Sequence, residues 1–183
     1  MSTHHPTAMR VVIAAMGLAS ALVLGGCRAA DDPLHKDPMI TKDSRQAAQA
    51  FVPEVEALLD ALGLEREKFS VRANRCAGSE GEQRDDIYTI WIGLRGLARG
   101  GDIVAVIEDA HARWQDAGWE ITRYRHLDNG GINLAATDPV GNQYALDAGF
   151  ESPPRYVVGT FNTPCQVDPS GRVEFGEITA VAR

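Results

Sequence analysis

The stretch Trp119-Glu120-Ile121-Thr122-Arg123-Tyr124-Arg125-His126-Leu127, then Asp128-Asn129-Gly130-Gly131, then Ile132-Asn133-Leu134-Ala135-Ala136-Thr137 decides the fold class. Asn and Gly accept positive φ at little steric cost, so the four-residue break reads as a hairpin turn. After it, Ile132, Leu134 and Ala136 alternate with Asn133, Ala135 and Thr137, the period of a half-buried strand. Asp138-Pro139-Val140-Gly141-Asn142 is a second turn, and Gln143 to Ala148 returns with Tyr144 and Leu146 inward. Ser152-Pro153-Pro154 interrupts the chain before a last good strand, Tyr156 to Asn162, which ends at Thr163-Pro164-Cys165. Strands joined by turns this short pair antiparallel.

Working outward, two helices stand before and between strands. Ala48, Phe51, Val52, Val55, Leu58, Leu59 and Leu62 form a stripe at helical spacing over Ser44 to Leu62. Asp43 or Ser44 can cap its start and Gly63 can end it. Pro53 removes the bond to the Gln49 carbonyl, so one kinked helix is expected. Asp102 as N-cap and Gly118 at the C′ position bound the second helix, whose inner face is Ile103, Val106, Ile107, Ala110, Trp114 and Ala117. Between them lie a short strand, Lys68 to Ala73, and a longer one, Ile87 to Leu94, apolar on both faces. The tail from Gln166 either adds one strand around Val173 to Ile178 or frays. The expectation is an α+β domain: an antiparallel sheet of about five strands with both amphipathic helices packed on one face.

The N-terminus carries an address. Residues 1–10 are polar with one cation, Arg10, and Val11 to Leu24 is nearly continuous apolar sequence. That length suits a signal-peptide h-region and is short for a membrane span. Leu24-Gly25-Gly26-Cys27 follows and resembles the lipobox of bacterial lipoproteins. The resemblance implies that residues 1–26 are a signal peptide and that Cys27 receives a diacylglyceryl, palmitate-type anchor and becomes the mature N-terminus. The competing readings are an uncleaved membrane helix or an ordinary secretory signal with a coincidental Cys. Two acyl chains give stable anchoring where one is marginal. Residues 27–41, with Asp31-Asp32-Pro33 and Lys36-Asp37-Pro38, read as a flexible tether reaching roughly 45 Å when extended. Residues 42–183 read as a single α+β domain.

The chain has 18 Lys+Arg against 25 Asp+Glu, a net charge of −7. Removing residues 1–26 takes away one Arg and no acid, leaving −8. That balance argues against nucleic acid, which is held by basic contacts to phosphate, and against a polybasic grip on anionic lipid. Once Cys27 is lipidated, Cys76 and Cys165 remain. Export makes a disulfide the expected state, closing a loop of about ninety residues and stabilising by roughly 4–5 kcal/mol in the chain-entropy model. Two free thiols are the alternative.

Chemistry is hard to find elsewhere. Gly93, Gly96, Gly100 and Gly101 match neither GxGxxG nor a P-loop. No Cys/His spacing suits zinc, and no calcium loop, G-x-S-x-G or other catalytic motif is present. Asp138 and Asp147 flank turns, where Asp is common. No catalytic residue, metal or cofactor is therefore assigned. The exported Cys27, Arg75-Cys76, Tyr88 with Trp91, Gly118-Trp119 and Thr163-Pro164-Cys165 together resemble the uncharacterised small lipoproteins of actinobacteria. The resemblance implies a lipid anchor and a disulfide and transfers no reaction.

The expected function is a non-catalytic envelope lipoprotein on the extracytoplasmic face of a cell membrane, binding a protein partner or small ligand. The alternatives are an anchored hydrolase, with His111 or His126 beside an acid, and a carrier of an apolar ligand between helices and sheet. If the helices cover the Ile90, Ile92 and Leu94 side, alternation turns Trp91 to the other side. Tyr124 and His126 could join it, in a register that Arg123 and Arg125 leave open, and Asn133 could follow from the hairpin partner. Aromatic and hydrogen-bonding groups together suit recognition. The competing reading covers Trp91 with the C-terminal tail, as core.

Overall fold

Asp43 starts the first helix: its carboxylate accepts from the Gln46 amide at 3.0 Å, satisfying a free N–H of the opening turn. The computed structural model describes residues 39–77 and 81–178. The expected signal peptide, Cys27 and the expected tether to residue 38 lie outside the described residues, as do residues 179–183. In chain order the elements are β1 (Ile40–Thr41), α1 (Ser44–Ala61), β2 (Leu64–Ala77), β3 (Gln83–Ala98), α2 (Ile103–Asp116) and β4 (Glu120–His126). β5 (Ile132–Thr137), β6 (Gln143–Asp147), β7 (Val157–Asn162), β8 (Gln166–Val167) and β9 (Gly176–Glu177) complete them. Among the described residues no helix is long and apolar enough to cross a membrane.

The six long strands lie in the order β2-β3-β7-β6-β5-β4, every neighbouring pair antiparallel. β8 continues the β7 side of β3, pairing Tyr88 with Gln166, and β1 adds to β8 in parallel. β9 pairs with β2 on its outer edge. The α+β class and the mostly antiparallel sheet agree with the sequence reading. The count of about five strands does not: the described sheet has nine. Beside the six long strands stand three of two residues each: β9 falls within the Val173 to Ile178 stretch where the sequence allowed a strand, whereas β1 and β8 exist only through distant partners, so no local periodicity marks them. Ile40 and Thr41, expected at the end of the tether, are one of them. β2 and β3 also extend well past their apolar centres. Their charged and glycine-containing ends pair with each other, as Glu65 does with Leu97 and Arg66 with Gly96.

Both helices cover the same face. Tyr144 on β6 receives Phe51 of α1 and Trp114 of α2, at ring-centroid separations of 6.2 and 6.0 Å. Trp119 stacks on Trp114 at 5.1 Å, and Phe161 of β7 meets Tyr144 edge-on. This aromatic group fills the layer between helices and sheet, where Ile90, Ile92, Leu94, Leu134 and Leu146 are also buried. Burial and the neighbouring Asp138 carboxylate hold the Tyr144 hydroxyl above its ordinary range, and the hydroxyl donates to Asp138 at 3.2 Å. Val173, Phe175 and Ile178 bring the C-terminal tail onto the same core, and Ile178 N donates to Val71 O.

Candidate functional site

With the helices on one face, the pleat of the sheet turns the alternate residues to the other. The pairing aligns Gly93, Thr160, Ala145 and Ala135 in one row across β3, β7, β6 and β5. Thr160, Ala145 and Ala135 floor a trough about 10 Å long, two inter-strand spacings, closed at the Gly93 end by the Trp91 indole. One wall is the adjacent row Trp91, Asn162, Gln143 and Thr137. The other is Arg95, Val158, Asp147 and Asn133, with Arg125 on β4 beyond. The central hollow has a volume of about 540 Å³. Thr160 connects it to a smaller one of about 230 Å³ beside Trp91, Ser70 and Lys68. Gln143 and Asn162 connect it to a third, of about 290 Å³, that ends at Cys76 and Cys165.

Gly93 determines the posture of Trp91. A Cβ at Gly93 would come within 2.1 Å of the indole Cη2, so the ring occupies the space that any other residue would fill. The indole lies along the strand, half-buried, and borders the smaller hollow. The charged groups of the far wall are partly matched. Arg123 reaches Asp147 at 3.1 Å, Asn133 Nδ2 donates to the same carboxylate at 2.8 Å, and Arg125 donates to Asn133 Oδ1 at 3.0 Å. Arg95 Nε sits 2.8 Å from Glu67, with its guanidinium 4.0 Å above the Tyr156 ring. By contrast, the side chains of Thr137, Gln143, Thr160 and Asn162 have no hydrogen-bond partner among the described residues. The trough thus offers a row of free neutral donors and acceptors beside an aromatic ring.

The four residues singled out in the sequence do not form one cluster. Trp91 and Asn133 both face the trough, on strands separated by β7 and β6. Tyr124 and His126 are on the helix side, opposite Leu134 and Ile132, which are buried in the core. Tyr124 stacks flat on His111 of α2 at 3.8 Å, and His126 meets it edge-on at 5.3 Å. The cause is a bulge between Ile121 and Arg123, which leaves Thr122 extra and turns Arg123 and Arg125 to the trough. Neither histidine hydrogen-bonds a carboxylate among the described residues. No group of three or more His, Cys, Asp or Glu among them could hold a metal ion.

Cys76 and Cys165 are joined, with Cα atoms 5.9 Å apart, tying the end of β2 to the segment between β7 and β8. Sequence reading missed Gln143, Thr160 and Asn162, along with the floor. A signal did exist: Ala135 and Ala145 occupy outward positions where a solvated strand carries polar residues. No family model, curated protein or solved structure matches this chain.

Proposed function

We propose that this is a lipid-anchored, extracytoplasmic binding protein whose uncovered sheet face is its recognition surface. The carrying observation is the trough itself. A sheet face that merely meets solvent fills its outward positions with long polar side chains, whereas this one keeps a floor of Thr160, Ala145 and Ala135 with the Trp91 indole at its end. The anchor rests on the Leu24-to-Cys27 box, and the Cys76–Cys165 bridge supports export, because such bonds persist in oxidising compartments. An apolar carrier is less favoured, since Phe51, Trp114 and Tyr144 occupy the layer it would need.

Site-specific photocrosslinking in intact cells tests the reading. A photoreactive residue at Ala135, on the trough floor, should give an adduct in the membrane fraction. The same residue at exposed Ala112 on α2 should not. Adducts at both positions, or at neither, overturn the assignment of this face. A Cys27→Ser chain should leave the membrane; recovering it lipidated and membrane-bound overturns the anchor.

A further inference from the structure

We propose that the trough binds an acidic oligosaccharide, laid across the strands with its rings over the floor. The inference rests on the preceding assignment of the open face and adds the chemistry of the ligand.

Three observations carry it. First, Thr137, Gln143, Thr160 and Asn162 present neutral, uncommitted donors and acceptors along the trough. Amides and hydroxyls that both donate and accept match the hydroxyls of a sugar, which do the same. Second, Trp91 lies along the sheet with its outer surface half-exposed at one end of that row. The negative face of an aromatic ring attracts the weakly positive C–H groups on the flat side of a pyranose. Third, the charge is complementary at both ends. The chain is acidic overall, at −7, yet β2, β3 and β4 turn Lys68, Arg72, Arg95, Arg123 and Arg125 to this face. Arg95 and Arg123 are matched by Glu67 and Asp147. Lys68, beside Ser70 at one end, and Arg125 at the other form no ion pair among the described residues and have no carboxylate directly opposite, whereas Arg72 stands opposite Glu177 of β9. Two further carboxylates share this face at its margins, Glu120 opposite Thr137 and Glu177 opposite Arg72. A chain crossing from β2 to β4 therefore meets Lys68 at one end, Arg125 at the other and neutral hydrogen-bonding groups between them.

A peptide fits less well. The strands of the trough have their backbone groups committed to neighbours on both sides, so nothing there supports strand addition.

The test uses the purified full-length chain on a surface displaying neutral and acidic oligosaccharides of matched length, with anionic phospholipid vesicles as a separate arm. Acidic oligosaccharides should be retained at least about tenfold better than their neutral counterparts. Trp91→Ala and Asn162→Ala should each weaken retention about tenfold, with an unchanged far-ultraviolet circular dichroism spectrum. Lys68→Gln should reduce the preference for acidic over neutral chains, and Glu108→Ala on α2 should change nothing. Retention of no oligosaccharide, retention indifferent to Trp91 and Asn162, or equal retention of phospholipid vesicles overturns the proposal. An Ala135 photoadduct to a protein, with no sugar retained, would discard the oligosaccharide and leave the open face as the recognition surface. Absence of any adduct would discard the face itself.

Discussion

Asp168 is only 3% exposed, yet its carboxylate is fully engaged. One oxygen accepts from Ser44 N at 2.9 Å, at the start of α1, and the other from Ser170 N at 2.9 Å and Ser170 Oγ at 2.6 Å. Burial alone would raise its pKa; the hydrogen bonds from Ser170 and Ser44 outweigh it and hold the group below the ordinary carboxylate value. Asp168→Ala should therefore lower stability by about 1–3 kcal/mol in urea unfolding at neutral pH, because Ser44 N is left buried without a partner. The sign of the pH dependence follows from the lowered pKa. The charged form's contribution is complete above the unfolded value of roughly 3.9 and is lost as pH falls through the lower folded value. The gap between wild type and variant should narrow on acidification; a gap that widens would refute this account. Trp91 gives a second residue-scale prediction. Gly93→Ala must displace the indole, so the near-ultraviolet circular dichroism should change, and the change should vanish in a Trp91→Phe background.

Gly118 ends α2 with φ at 74°, and nothing stands within 4 Å of where its Cβ would be. Substitution there tests backbone conformation without a clash. Gly118→Ala should cost about 1 kcal/mol, seen as a lower midpoint in thermal unfolding. The opposite result is expected at Pro53, which is exposed within the single helix α1. Pro53→Ala restores an N–H for the Gln49 carbonyl and should raise stability by about 1–2 kcal/mol, after the greater freedom of the unfolded chain is deducted. Both helices were legible in the sequence because caps, terminal glycines and apolar stripes are local signals. The strand β4 was legible as a strand, but its facing was not, because Thr122 carries no mark that it will be the extra residue. Only its pairing with β5 creates the bulge, and the bulge sends Tyr124 to the helix side.

The Cys76–Cys165 bond spans 89 residues and closes a loop containing most of the sheet and all of α2. Cys165→Ala should lower unfolding stability by roughly 4–5 kcal/mol in the chain-entropy model, and wild type under reducing conditions should match it. An equal urea midpoint for the oxidised wild type and the variant would show that the bridge constrains nothing. The bond also borders the third hollow, so its loss should loosen the end of the trough near Gln143 and Asn162, read as faster amide exchange there.

From the sequence alone came the class of the fold, the two helices with their ends, the hairpins after Trp119 and the pairing of two cysteines. Each depends on residues close in the chain, or on a count that leaves one partner. Tertiary structure alone decided that β7 lies beside β3, that two-residue strands close the sheet, and that Trp91 shares a face with Asn162 and Thr160. The physical reason is the same throughout. Alternation tells which residues of one strand share a face, while the register between strands, set by bulges and distant partners, determines which residues of different strands meet.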